Sequence, residues 1–183
     1  MISRKYDFVA VGDLVTDAFI RLKDAHVRCD ARGENCMLSM RFGDKIPYED
    51  VVVVSAVGNS ANAAVSAARL GLKSAFVSQI GGDQNGKDAL KVLKGEKVGT
   101  KFIRVNKRMK TNYHYVLSYK GERTILIKHE KYSHSLPAIG KPAWMYLSSV
   151  GEKGLLKFHR EIEQYLSKHE GVKLAFQPGT YQV

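Results

Sequence analysis

Amide side chains follow Gly58 at the point where an apolar run, VVVVSAV, ends. Asn59 and Asn62 open an Ala-rich segment, and we expect a helix from Asn59 to Leu70 because Gly71 supplies the positive φ that commonly closes a helix. The first turn of a helix has free backbone N–H groups and the positive end of the helix dipole. Together with side-chain amides, these groups can bind hydroxyls or a negative group. The pattern therefore predicts a binding site for a polar molecule.

The glycine-rich segment Gly81–Gly86 follows a predicted strand from Ala75 to Ile80 and has the spacing of a phosphate-binding loop. The letters GGDQNGKD fit G-x-x-x-x-G-K, but Asp88 stands where such a loop needs a Ser or Thr hydroxyl for magnesium. A carboxylate at that position would repel phosphate. We therefore interpret the segment as a strand-to-helix turn, in which Asp83 accepts hydrogen bonds from backbone N–H groups.

Extended segments dominate the first third of the chain, and helices alternate with strands after it. The extended segments are Phe8 to Val11, Val15 to Leu22, Val27 to Cys29, Met37 to Phe42 and Val51 to Val54. A second helical segment is predicted from Asp88 to Leu93, after the strand that ends at Ile80. This alternation is typical of parallel βαβ units.

A hairpin is predicted next, with strands from Tyr113 to Tyr119 and from Arg123 to Lys128 around Lys120-Gly121. It is followed by a strand from Trp144 to Leu147, a helix from Gly154 to Lys168 and a strand from Val172 to Phe176. Apolar side chains recur along one face of that helix, as expected of a helix that covers a sheet.

The order of these motifs resembles the N-terminal part of the ribokinase or PfkB-type carbohydrate kinases. The resemblance rests on Gly58, Asn62, an Ala-rich helix ending in R-L-G, a strand ending in I-G-x-D-x-x-G, and the segments YDFVAVGDLVTDAFI, MKTNYHYVLSYKGERTILI and PAWMYLSSVGE followed by KLAFQPGT. It implies an α/β fold, a three-layer α/β/α sandwich with a small β-sheet lid whose strands lie within about 15–57 and 111–128. It also implies that residues 1–183 are the N-terminal part of one kinase domain, truncated before its C-terminal nucleotide-binding and catalytic part.

The same resemblance implies that Asp17, Gly58, Asn59 and Asn62 bind the substrate, which lies between lid and sheet. Asp17 would accept hydrogen bonds from sugar hydroxyls, Asn62 would donate and accept them, and Gly58 would let the backbone approach the sugar. Weaker lid contacts are Thr111, Tyr113 and Arg123. Because Asn59 replaces the lysine of ribokinases proper and Val15 replaces an Asn, a sugar, a sugar phosphate and a nucleoside all stay open as substrates.

The implied activity is ATP-dependent phosphorylation of a hydroxyl group of a carbohydrate or nucleoside. Catalysis in the family depends on a G-A-G-D segment, which does not occur in this sequence. ATP and Mg²⁺ are the implied cofactors, and their binding residues belong mostly to the part of the family domain not found here. Since phosphoryl transfer depends on positioning and charge stabilisation, we expect the isolated chain to be inactive and name no catalytic residue.

Two other classes of function stay open. One is a non-catalytic sugar- or nucleoside-binding protein, which would use Asp17 and Asn62 without consuming ATP. The other is a basic nucleic-acid-binding domain, because the formal net charge is +11 and the pI is near 9.6. The basic residues are spread along the sequence, and their densest run, Lys101–Lys110, lies in no recognisable nucleic-acid-binding module. A nucleic acid is therefore the less favoured partner.

The sequence also allows predictions about the compartment, metal binding and assembly of the protein. No apolar run could span a bilayer and no signal-peptide core is present, so we expect a cytoplasmic protein without a membrane partner. Cys29 and Cys36 are too few for a disulfide scaffold, which predicts reduced, partly buried thiols. Neither these thiols with His26 nor the pair His129 and His134 has the spacing of a zinc site.

Uncovered apolar surface favours an oligomer, and we expect a homodimer through the lid.

Overall fold

The computed structural model describes residues 5–179, which form two compact units. The first unit comprises residues 5–16, Ser55–Asn112 and 129–179, and the second comprises Asp17–Val54 and Tyr113–Lys128. The elements in chain order are β1 Phe8–Val11, β2 Val15–Leu22, β3 His26–Arg28, β4 Met37–Ser39, β5 Tyr48–Val57, α1 Asn59–Arg69, β6 Ser74–Gly81, α2 Gln84–Gly95, β7 Ile103–Asn106, β8 Asn112–Tyr119, β9 Glu122–Leu126, β10 Trp144–Leu147, α3 Leu155–Ser167 and β11 Lys173–Phe176.

The first unit is built on a five-stranded parallel sheet in the order β11-β10-β1-β6-β7. Successive side chains of a strand point to opposite faces, so Val9 and Val11 pack on one face and Ala10 on the other. The first face is covered by α3 through Phe158 and Ile162. The second is covered by the small residues of α1 and by α2, so helices flank the sheet on both sides. The predicted α/β fold with a parallel sheet is confirmed.

The predicted bounds hold closely at the glycine that ends α1, and less closely at the start of α2 and in β4 and β5. Helix α1 ends as expected, because Gly71 has φ 89° and the N–H of Leu72 donates to the carbonyl of Ala67 at 3.0 Å. Helix α2 begins at Gln84, so half of the predicted Gly81–Gly86 loop is helical. Strand β4 stops at Ser39 instead of Phe42, whereas β5 extends well beyond the predicted Val51–Val54.

The second unit consists of strands, in a sheet with the order β5-β2-β8-β9 and a separate β3-β4 hairpin. Strands β8 and β9 are antiparallel, and their turn residues Lys120 and Gly121 have φ values of 51° and 85°. Positive φ at both central residues is typical of the tight turns that join twisted strands.

The two cysteines are joined by a disulfide bond, so the prediction of reduced, partly buried thiols is wrong. Antiparallel pairing of β3 with β4 places Cys29, just after β3, beside Cys36, just before β4. Both residues are exposed. The bond therefore closes the end of a small hairpin instead of filling a core.

No helix within residues 5–179 combines the length and the apolar character needed to cross a membrane.

Candidate functional site

The start of α1 is shaped by the backbone of Gly58. This residue has φ 114° and ψ 155°, a region that only glycine occupies readily, and its carbonyl accepts the N–H of Asn62 at 2.9 Å. A Cβ at this position would lie 3.0 Å from the carbonyl oxygen of Asp13. Glycine is thus required both for the conformation and for the close approach of the two chain segments.

Ser60 fixes the start of α1 against the carboxyl end of β1. Its buried hydroxyl donates to the carbonyl of Val11 at 2.7 Å and lies 2.6 Å from the hydroxyl of Ser148. A Cβ on Gly12 would come within 2.5 Å of the Ser60 oxygen, so the strand end must be glycine for the helix to sit this close. The first turn of α1 therefore lies where ligands of open parallel sheets bind.

Asn59 and Asn62 are exposed in that first turn. Within residues 5–179, neither side-chain amide has a hydrogen-bond partner. Both amides are therefore available to an incoming hydroxyl or anion. Together with Gly58, they are the predicted site residues that the first unit brings together.

Asp17 lies in β2, in the second unit, and is half-buried. Its carboxylate oxygen Oδ1 is 3.5 Å from Nδ1 of His114 in β8. Burial raises the pKa of Asp17, and the charge of Arg123 lowers it by a smaller amount. The predicted residues Asp17 and Arg123 thus interact electrostatically within one unit.

The remaining predicted lid contacts fall into different places. Tyr113 is in the second unit, where its ring centroid lies 5.2 Å from that of Tyr115. Thr111 is a buried residue of the first unit. Its hydroxyl donates to Oδ1 of Asp83 at 2.6 Å and accepts the N–H of Gly81 at 3.1 Å. The Thr111 hydroxyl therefore holds the turn before α2.

Asp83 is the N-cap of α2, as the turn interpretation expects. Its carboxylate accepts the N–H groups of Gly86 at 3.1 Å and Thr111 at 3.0 Å. Burial raises the pKa of Asp83, but these hydrogen bonds and that of the Thr111 hydroxyl outweigh it, and the pKa lies below its usual value. The N–H of Gly82 also bonds to the carbonyl of Asn106 at 3.0 Å, so the amides of the three loop glycines, Gly81, Gly82 and Gly86, are all bonded within the protein instead of facing a phosphate.

A buried carboxylate with two histidines lies directly after β1, and the sequence reasoning did not connect these residues. Oδ2 of Asp13 is 2.9 Å from Nδ1 of His129, and its Oδ1 is 3.9 Å from Nε2 of His134. Burial lowers the pKa of His134, with an opposing effect of Asp13 and a further lowering by His129. The available signal was the position of Asp13, two residues beyond the end of β1, where polar groups are expected to serve ligands.

Metal-ligating side chains are not clustered in the part of the chain that the structure describes. No three side chains of His, Cys, Asp or Glu within residues 5–179 are arranged to hold a metal ion. The polar groups at the start of α1 are the side-chain amides of Asn59 and Asn62 and the helix N–H groups. Such a set suits the hydroxyls of a polar organic molecule.

Comparisons with known proteins agree with this architecture. A family model described as pfkB family carbohydrate kinase matches residues 23–177. No curated protein matches the chain. Among solved structures, ribokinase from Giardia lamblia is similar with a TM-score of 0.77 and 17% identity, over 98% of this chain and 52% of that one.

Two further structures share the fold. Arabidopsis thaliana ribokinase, complexed with ribose and ATP, has a TM-score of 0.70 at 17% identity and covers 93% of this chain and 53% of its own. Halothermothrix orenii fructokinase has a TM-score of 0.68 at 22% identity and covers 93% of this chain and 56% of its own. The chain thus spans about half the length of the solved structures it matches.

Proposed function

Because the chain belongs to the pfkB family of carbohydrate kinases, we propose that it forms the substrate-binding part of an ATP-dependent kinase. The acceptor is a hydroxyl group of a sugar or nucleoside. Ribokinase and fructokinase structures of similar fold support this class of substrate, and the ADP and the ATP bound in two of the ribokinases support ATP as the donor. The cytoplasm, where ATP is abundant, is the compartment that this proposal implies.

The observation that carries the proposal is the pair of unpartnered amides at the start of α1. Asn59 and Asn62 stand beside the carboxyl end of β1, in a turn whose backbone only Gly58 permits. An amide offers one acceptor and two donor hydrogens, which match the mixed donor and acceptor character of sugar hydroxyls. We assign to these residues the binding and orientation of the substrate.

Asp17 supplies a second set of acceptors in this proposal. An ionised carboxylate accepts hydrogen bonds from two neighbouring hydroxyls, and charge-assisted bonds are about twice as strong as neutral ones. Burial raises the pKa of this carboxyl group, and the positive charge of Arg123 opposes that effect and favours the ionised form. This combination suits a vicinal diol, such as that of a furanose ring.

We propose no catalytic step for the residues of this chain. The sequence contains no G-A-G-D segment, and no cluster of three metal-ligating side chains occurs within residues 5–179. We therefore expect the chain to bind substrate without consuming ATP. A non-catalytic binding protein would behave in the same way, and the two are distinguished by whether a longer version of the chain transfers phosphate.

A second copy of the chain is the proposed partner of the lid, defined here as the second unit. Strand β5 is an edge strand of its sheet, and Val52 and Val53 are 52% and 54% exposed although neighbouring residues point to opposite faces. An apolar edge strand is a ready template for pairing with another chain. Isologous pairing of two lids would cover these valines.

Calorimetric titration with a panel of pentoses, hexoses and nucleosides tests the binding proposal. We expect one class to bind saturably, and Asp17→Ala and Asn62→Ala each to weaken that binding at least tenfold. Asp24→Ala is the matched control, because Asp24 is exposed in the same unit as Asp17. If no member of the panel binds, or if the control loses as much affinity as the site variants, the proposal is wrong.

A further inference from the structure

A large cavity lies in the first unit at the amino ends of three neighbouring strands, β1, β10 and β11. It has a volume of about 690 Å³, within the range of pockets that hold small organic ligands. The first turn of α1 bonds to the carboxyl end of β1, so the cavity is at the other end of the sheet from the proposed substrate site. It belongs to no function assigned above.

The walls of the cavity are fixed by contacts around α3. The hydroxyl of Tyr165 donates to the carbonyl of Gly140 at 2.5 Å, which ties the segment before β10 to the helix. The ring of His169 stacks on Tyr165 with centroids 4.3 Å apart, and its Nδ1 lies 2.7 Å from the Tyr165 carbonyl. The carbonyl can only accept, so Nδ1 carries the proton and the ring is held as one wall. These contacts hold Gly140 and His169, two lining residues of the cavity, against Tyr165.

The floor of the cavity is apolar. Ile139 and Val172 line it and are buried members of the core that α3 covers. Tyr6 and Pro142 extend the same surface towards β1 and β10. A ligand that only carried charge would leave this floor in contact with water, so the occupant has an apolar or ring-shaped body.

The rim of the cavity is positively charged. Lys5, Lys141 and Lys168 line it, and Glu170 is the one carboxylate among its lining residues. Their formal charges leave an excess of two positive charges. The carboxyl end of α3 also points here, but a helix end contributes only about half a negative charge, so the lysines dominate. The rim therefore favours a ligand with about two negative charges.

Positive charge is concentrated around the cavity as well as in it. Lys101, just before β7, lies 4.3 Å from the ring centroid of Phe102 and 5.4 Å from that of Tyr6. Desolvation lowers the pKa of Lys101, and the neighbouring Lys5 lowers it further. Repulsion between two ammonium groups beside an open cavity is relieved when an anion binds between or beside them.

We propose that this cavity binds a phosphate monoester with an apolar or aromatic body. The phosphate group, with roughly −1.5 to −2 charges near neutral pH, pairs with Lys5, Lys141 and Lys168. The body of the ligand lies on Ile139 and Val172, against the ring of His169. The site is separate from the proposed kinase substrate site, so either can exist without the other.

Titration of the full chain with phenyl phosphate, inorganic phosphate and phenol tests this proposal. We expect phenyl phosphate to bind saturably and at least fivefold more tightly than inorganic phosphate, because only the former covers the apolar floor. Phenol alone should not bind measurably. Lys141→Ala and Lys168→Ala should each weaken phenyl phosphate binding roughly five- to tenfold, whereas Lys141→Arg should retain it.

Two control variants separate this site from non-specific attraction and from the substrate site. Lys91→Ala removes one exposed lysine from α2, away from the lining residues, and should leave binding unchanged. Asn62→Ala alters the start of α1 and should also leave it unchanged. The proposal is overturned if phenyl phosphate does not saturate, if it binds no better than inorganic phosphate, or if Lys91→Ala weakens binding as much as Lys141→Ala. Loss of binding in Asn62→Ala would instead locate the phosphate at the other end of the sheet.

Discussion

At the scale of single residues, the most consequential side chains are polar groups that the fold partly removes from water. The sequence points to Asp17 through the resemblance of YDFVAVGDLVTDAFI to the first strand, glycine turn and aspartate of the family, and its role as a substrate contact stays a prediction. Its neighbour His114 and the Asp13–His129 pair could not be predicted, because each involves residues far apart in the chain. Local patterns predict which residues are polar at strand ends, but not which of them meet.

Binding of the sugar or nucleoside should weaken as the pH is lowered. The loss should begin at a higher pH than it would if Asp17 had the pKa of an ordinary aspartate. Burial raises the pKa of Asp17 above 3.8, and the hydroxyls of the ligand need the ionised form as acceptor. Affinity should thus be full near pH 7 and fall as the pH drops through the raised pKa. Calorimetry between pH 7.5 and about 4.5 measures this decline, in the pH range set by the raised pKa.

Arg123→Ala should move the same decline to a higher pH, because it removes the charge that lowers the pKa of Asp17. Asp17→Asn has no carboxyl group to titrate at this position, so this variant should bind the sugar or nucleoside weakly at every pH. A decline that is unchanged in Asp17→Asn would show that another group controls the pH dependence.

Gly58→Ala should destabilise the protein by about 2 kcal/mol. The backbone at φ 114° is strained for any residue with a side chain, and the new Cβ would lie 3.0 Å from the Asp13 carbonyl. Gly95→Ala is the matched control: a Cβ there meets nothing within 4 Å, and alanine should stabilise α2 by roughly 0.5 kcal/mol. Urea unfolding of both variants measures the difference, and equal midpoints would contradict the argument.

At the scale of elements, the sequence predicts well wherever a local signal fixes a boundary. Gly71 ends α1 because its positive φ allows the closing hydrogen bonds, and β10 has the predicted bounds because it is a short apolar run. The start of α2 is missed because Asp83 caps it with partners from Thr111, which lies in another part of the sequence. The disulfide is missed because two isolated cysteines give no indication of the hairpin that joins them.

Reduction of the Cys29–Cys36 bond should open the β3-β4 hairpin without unfolding the first unit. Closing so short a loop lowers the entropy of the unfolded chain by an amount worth about 2.5 kcal/mol, and the hairpin has exposed strands and little else to stabilise it. Limited trypsin digestion with and without dithiothreitol should show faster cleavage at Arg28 and Arg32 after reduction.

The double variant Cys29→Ser/Cys36→Ser should be cleaved at the same rate with and without dithiothreitol. Equal cleavage of the oxidised and reduced wild type would show that the bond does not hold the hairpin. In the cytoplasm the glutathione pool would favour the reduced form, so the redox state of the hairpin also bears on the compartment.

At the scale of the whole molecule, the described chain divides into an α/β unit and a β unit built from two separate segments. Sequence reasoning finds both kinds of structure, because helical and alternating periodicities differ clearly. It does not reveal how charge is distributed in space. Three lysines that are far apart in the sequence, Lys5, Lys141 and Lys168, line one cavity, and Lys101 lies 5.4 Å from the ring centroid of Tyr6 at its edge.

The chain should form a dimer that depends on the apolar edge of the lid. The double variant Val51→Lys/Val53→Lys places two charges on one face of β5 and should give a monomer in sedimentation equilibrium, where the wild type gives a dimer. Val92→Lys, on α2 of the first unit and similarly exposed, is the control and should stay dimeric. The wild type is measured at about 100 μM and after a roughly 100-fold dilution. If it is monomeric even at the higher concentration, the lid dimer is excluded.

The central place of β1 has a consequence for synthesis on the ribosome. This strand leaves the ribosome before the other four strands of its sheet, yet in the sheet it lies between β6 and β10. Strand β6 begins at Ser74, after β2 to β5 and α1, and β10 begins later still, at Trp144. During the interval one side of β1 has backbone groups without a neighbouring strand, next to apolar residues that α3 has not yet covered. The nascent chain therefore passes through a stage at which a chaperone has an open strand edge to bind.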